Sequence, residues 1–148
     1  MGLWLAAVLL ASSTCVFADA PDAGIAVIVA QGLVPPKLSR EELALIFKQK
    51  RRFWEDGTRI QPVNLPASHS LRQAFSQLVM GEAPEELDDY WREMYFHGVL
   101  PPFVLASDEA VIRFVAGTPG AIGYVSNCVV DHRVRVILRL DAVTNCGH

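Results

Sequence analysis

Ile25-Ala26-Val27-Ile28-Val29-Ala30 is an unbroken apolar run, rich in β-branched residues and bounded by Gly24 and Gly32. Apolar side chains at every position, rather than at every second one, describe a strand covered on both faces. Such a strand belongs in the middle of a sheet with other layers packed against it, so the run predicts an α/β domain. Downstream, after Pro35-Pro36, Ser39 can cap a helix while Glu42 reaches back from three residues later. That capping box precedes Leu43, Ile46 and Phe47, the apolar positions of the helix.

Asp56-Gly57 is a turn signal, and Arg59 to Asn64 alternates as a half-buried strand does. From Ser68 to Met80, Leu71, Phe75, Leu78 and Val79 recur at helical spacing, which predicts a helix beginning near His69 and ending at Gly81. Pro84 suits a first helical turn, and Glu85, Glu86, Asp88 and Asp89 suit the positive end of a helix dipole. Leu87, Tyr90, Trp91, Met94 and Tyr95 are the expected buried stripe of that helix. Past Pro101-Pro102, Ser107 can cap another helix with Val111, Phe114 and Val115 inside, and Gly117 to Gly120 ends it. Ala121 to Ser126 and Val134 to Leu140 read as two further strands. The expected order is strand, helix, strand, three helices and two strands, a three-layer α/β domain with no repeat.

The chain has 148 residues, 51% hydrophobic and 20% charged, the balance of one globular domain with a buried core. Its net charge of -3 offers no basic field for a polyanion, so nucleic acid is not an expected partner. The apolar run Leu3 to Leu10, followed by Val16-Phe17-Ala18, fits a signal peptide spanning 1-18 with cleavage after Ala18, although the leader has no Lys or Arg. The stretch is too short to span a bilayer. Export to the periplasm is the expectation, with 19-148 as the mature domain. Ser12-Ser13-Thr14 lack the small Gly or Ala usual just before a lipidated cysteine, which argues against lipid attachment at Cys15. In an oxidising compartment Cys128 and Cys146 can pair, adding ~3 kcal/mol through the loop they close. Two free thiols are the alternative.

Four stretches stand in order: Ile25 to Val29, Leu38 to Phe47, Arg72-Gln73-Ala74-Phe75, and Pro119-Gly120-Ala121-Ile122-Gly123-Tyr124-Val125. Together they resemble the phosphate-binding proteins of bacterial ABC importers, over about Gly24 to Ser126, with Gly120 to Val125 the most specific part. The turn at Trp54-Glu55-Asp56-Gly57 is also similar to that family. The resemblance implies a type II periplasmic-binding-protein-like lobe, with a mixed sheet flanked by helices. It implies a non-catalytic solute-binding role, with inorganic phosphate or a similar oxyanion as ligand and an ABC importer permease as partner. Family members usually have two lobes and this chain has room for one, so a short family member, a pairing of two chains such as a homodimer, or a lobe kept for another purpose are the alternatives.

A helix N-terminus presents unpaired N–H groups and partial positive charge, and so stabilises an oxyanion. Ser68, His69 and Ser70 lie at such an end, and Arg72 in the first turn can add a charge-assisted contact. Against the Ser-Gly-Thr turn of the family stand His69, Ser70 and Leu71, and Leu65 takes the place of its upstream Arg. The alternative is that Ser68 only caps the helix while His69 and Arg72 face solvent. An envelope interaction or structural lobe that has lost anion binding is the contrasting function.

His69, His97, His132 and His148 show no metal-ligand spacing, and no hydrolase nucleophile motif is present, so neither metal, cofactor nor enzyme activity is expected. Phe53, Trp54, Trp91, Tyr95 and Phe96 fit core packing better than a ligand pocket. Lys48, Lys50, Arg51 and Arg52 complement a helix C-terminus and are expected on a solvated face.

Overall fold

A computed structural model describes residues 24–33 and 35–142, with Gly2 and Cys146. The 1-18 leader, apart from Gly2, lies outside the described residues. Five strands and four α-helices follow one another as β1 (Gly24–Ala30), α1 (Arg40–Phe47), β2 (Gln61–Asn64), α2 (Ser70–Met80), α3 (Asp88–Phe96), β3 (Phe103–Val104), α4 (Asp108–Gly117), β4 (Ala121–Ser126) and β5 (Val134–Asp141). Short 3-10 turns at Pro84–Leu87 and Asn127–Val129 complete the set.

The strands form one mixed sheet in the order β3-β2-β4-β1-β5. β2 is parallel to β3 and to β4, whereas β1 is antiparallel to both β4 and β5, so β1 alone runs against the rest. Ile25 to Val29 are fully buried, as the unbroken apolar run predicts, and β1 holds the two halves of the sheet together. The α/β expectation is met, and β3 is an addition to it. Two residues after two prolines leave no alternation from which to read a strand.

Local signals place the helix starts. The Ser39 hydroxyl accepts from the Glu42 amide while the Glu42 carboxylate accepts from the Ser39 amide at 2.8 Å, so both halves of the capping box form. Ser107 caps α4 through the Ala110 amide, and Gly81 ends α2 in the left-handed conformation. Gly123 lets α4 press onto the sheet, since a Cβ there would stand 2.7 Å from the Val111 side chain. The residues carrying the resemblance meet in space. The Gly120 carbonyl accepts from the Trp54 indole at 3.0 Å and from the Gln61 amide at 3.1 Å, joining the Trp54–Thr58 turn to the head of β4.

Two expectations about side-chain placement are corrected. Trp54 is buried, but Phe53, Tyr95 and Phe96 are exposed, and α3 has no fully buried residue at all. Of the expected stripe Leu87 is buried and Tyr90, Trp91 and Met94 are half-buried, so the cover runs out at Tyr95 and Phe96, toward the end of α3. The basic cluster also differs. α1 ends at Phe47, so the cluster follows the helix rather than forming its last turn. Lys48 pairs with Glu82 and Arg51 with Glu42, both partly covered, and Arg52 is the arginine left exposed. Cys128 and Cys146 are joined in a disulfide with Cα atoms 5.7 Å apart.

Candidate functional site

β2, β3 and β4 point the same way, so the turns after their carboxyl ends share one edge of the sheet. α2 starts after β2, α4 after β3, and the Asn127–Val129 turn after β4. In parallel sheets this edge is where ligands are held, because helix N-termini and their unpaired amides collect there.

The Tyr124 ring, at β4, stacks on Phe75 of α2 with centroids 3.8 Å apart. Its hydroxyl donates to Asn64 Oδ1 at 3.1 Å and accepts from the Leu65 amide at 3.4 Å. Burial pushes the Tyr124 phenol up to about 12, with the nearby Arg72 cation pulling the other way. It therefore stays a neutral donor. Arg72 Nη1 donates to the Leu65 carbonyl at 3.2 Å, which brings the guanidinium near the Tyr124 hydroxyl. The Arg72 residue is only 8% exposed, no carboxylate pairs with it among the described residues, and its Nε has no hydrogen-bond partner there. Asp108, at the start of α4, accepts from the Ser126 amide at 3.1 Å through Oδ2. Its Oδ1 is buried without a hydrogen-bond partner among the described residues.

The four residues singled out from sequence occupy one turn but not one surface. Ser68 and Ser70 are exposed, His69 is half-buried and Arg72 is buried. His69, not Ser68, caps α2, because its Nδ1 accepts from the Leu71 amide at 3.1 Å. An accepting Nδ1 leaves only Nε2–H to donate outward. Arg72 does not face solvent as the capping alternative supposed; its guanidinium turns back under the helix. Leu65 and Leu71 fill the core, yet a cation still reaches residue 65, from the helix instead of from the strand.

Asn64, Tyr124 and Asp108 were not among the residues chosen from sequence. Tyr124 was in view, inside the most specific motif, but a tyrosine in an apolar strand reads as core. Only the fold brings Asn64 to its hydroxyl, from 60 residues away in the chain. Among the described residues no group of three His, Cys, Asp or Glu side chains is placed to hold a metal ion.

No protein-family model matches the chain, and no curated protein matches its sequence. Solved structures do match. A protein of Clostridium perfringens assigned as a phosphate ABC transporter substrate-binding protein, solved with bound phosphate, superposes with a TM-score of 0.65 at 24% identity. The match covers 78% of this chain and 44% of that one. An ABC-type phosphate transport receptor from Vibrio cholerae has a TM-score of 0.65 at 28% identity, covering 78% of this chain and 45% of that one. PstS from Borrelia burgdorferi has a TM-score of 0.55 at 18% identity, over 70% of this chain and 40% of that one. The chain spans less than half the length of the solved structures it matches.

Proposed function

We propose that this chain, which has the fold of one lobe of the phosphate ABC transporter substrate-binding proteins, is a non-catalytic solute-binding protein of the periplasm. Its ligand is inorganic phosphate or a similar oxyanion, held at the N-terminus of α2. Ser68 and Ser70 supply hydroxyl donors, His69 supplies Nε2–H, and Arg72 supplies positive charge from beneath. An importer permease is the partner that receives the solute.

The observation carrying this reading is the state of Arg72. A guanidinium taken out of water without a counter-ion is costly, and burial of a cation is tolerated where an anion or several acceptors meet it. Here it donates to the Leu65 carbonyl and lies near the Tyr124 hydroxyl, next to a helix end that already favours negative charge. Titration calorimetry with phosphate and with sulfate tests the proposal on the parent protein, Arg72→Met and Ser70→Ala. Heat with at least one anion in the parent, abolished in Arg72→Met and reduced in Ser70→Ala, is expected. Arg72→Met keeps the volume and removes an unpaired charge, so its melting temperature should stay close to the parent's. No heat in the parent, or unchanged heat in Arg72→Met, would overturn the assignment.

A second reading has its own support. Leu65 and Leu71 fill the core where the family pattern has a charge and a hydroxyl, and Asp108 places a carboxylate at the same edge. Those residues favour an envelope interaction lobe that binds no small anion, the outcome a silent calorimetric trace would leave standing.

A further inference from the structure

β2 and β3 are parallel, so their amino ends lie at the edge of the sheet opposite the α2 turn. A groove of about 260 Å³ opens there, between the loop that joins α1 to β2 and the segment that leads into β3. Ile60, Pro62 and Pro102 are the buried part of its lining, and Leu100 and Phe103 are exposed along it. Its walls are held in place before any ligand arrives. The Ile60 amide donates to the Arg52 carbonyl at 2.8 Å, the Gln61 amide donates to the Gly120 carbonyl, and Pro101-Pro102 stiffens the facing segment. A preformed groove loses little order on binding.

The charge of this groove is one-sided. Arg52 and Arg59 line it, no Asp or Glu does so among the described residues, and neither arginine has an ion-pair partner among them. Arg52 Nε donates to the Gln49 carbonyl at 3.1 Å, which fixes the side chain and leaves its outer nitrogens for another acceptor. Gln49 is itself unusual. Among the described residues it is the one non-glycine residue in the left-handed region, at φ 59°. It follows the C-cap Lys48 of α1, a position where glycine is the unstrained choice. The residue kept there in spite of the strain lines the groove, and such strain gathers at binding sites.

We propose that this groove binds a small apolar carboxylate, with the carboxylate on Arg52 and Arg59 and the hydrocarbon body on Leu100 and Phe103. A guanidinium offers a planar fork of donors that matches the two oxygens of a carboxylate. The Gln49 side-chain amide adds a donor to the same group. An inorganic oxyanion would leave the apolar wall unused, and a neutral hydrocarbon would leave the arginines unused. A volume at the low end for ligand pockets limits the body to a single ring or a short chain. The groove and the α2 turn lie at opposite edges, so this binding holds whether or not the turn takes an anion.

Two-dimensional amide NMR of the full chain, titrated with benzoate, phenylacetate and hexanoate, tests the proposal. Saturable shifts at Arg52, Arg59, Gln61, Leu100 and Phe103 are expected with at least one of the three acids. Arg52→Gln and Arg59→Gln should each weaken that acid by roughly fivefold or more. Gln49→Gly should weaken it as well while raising the melting temperature, and Arg72→Met should leave it unchanged. No shift at these amides with any of the acids would overturn the proposal. So would equal shifts with phenethyl alcohol, which lacks the charge, or with inorganic phosphate, which lacks the body. Unchanged affinity in both arginine variants, or loss of binding in Arg72→Met, would overturn it too. Binding of a peptide ending in phenylalanine but of none of the acids would also overturn it, and would give the groove to a chain terminus.

Discussion

α2 and α3 follow each other in the chain, are of similar length, and are both amphipathic, yet they are held in opposite ways. α2 buries Leu71, Arg72, Phe75, Ser76 and Val79, and Phe75 sits between Phe47 at 4.7 Å and Tyr124 at 3.8 Å. α3 buries none of its residues. It is tethered by the Tyr90 hydroxyl, which donates to the Lys48 carbonyl at 2.6 Å, and by the Lys48 and Lys50 ammonium groups over the Tyr90 ring. Apolar spacing identifies the face of a helix that gains from cover. Whether the cover comes from the same chain is decided by tertiary structure.

The largest effect that tests this contrast is expected from Phe75→Ala. Removing the ring from between two aromatic neighbours should lower unfolding stability by about 3–5 kcal/mol in a denaturant titration. A loss below about 1 kcal/mol would mean that α2 is no better anchored than a surface helix. An intermediate effect is expected from Gly120→Ala, roughly 1–3 kcal/mol by the same measurement. Gly120 has φ 78°, and an added Cβ would collide with the Arg59 carbonyl, so the junction between the Trp54–Thr58 turn and β4 must shift. The smallest effect belongs to Phe96→Ser, at 80% exposure. In dilute protein it should change stability by no more than about 0.5 kcal/mol. A larger loss would show that α3 is covered within the monomer and would erase the distinction between the two helices.

The parts of the molecule that were legible in sequence are those settled by neighbours in the chain. The Ser39/Glu42 capping box, the Ser107 cap, the Gly81 stop and the unbroken run of β1 each depend on residues within a few positions. The parts that were not legible depend on distant partners. Tyr95 and Phe96 have the same spacing whether or not anything lies over them. Ser68 and His69 are adjacent and both able to cap, and the path of the turn selected His69. Arg72 was recognisable as a cation in a first helical turn. Its inward direction depends on the Leu65 carbonyl and on Tyr124, which β4 brings in from far along the chain. The sequence thus pointed to the α2 turn as a candidate, while the division of that turn into exposed hydroxyls and a buried charge was not legible.

The bond from the Trp54 indole to the Gly120 carbonyl spans 66 residues, a stretch that includes α2, α3 and α4. The entropy of closing so long a loop must be met before the contact repays it, unless the helices between have already shortened the distance. The motif most useful for recognising this fold therefore belongs to the later events of its folding. A ribosome that has released β1, α1 and β2 has made the indole donor but not yet its acceptor, so this edge of the sheet stays unlatched until the head of β4 emerges.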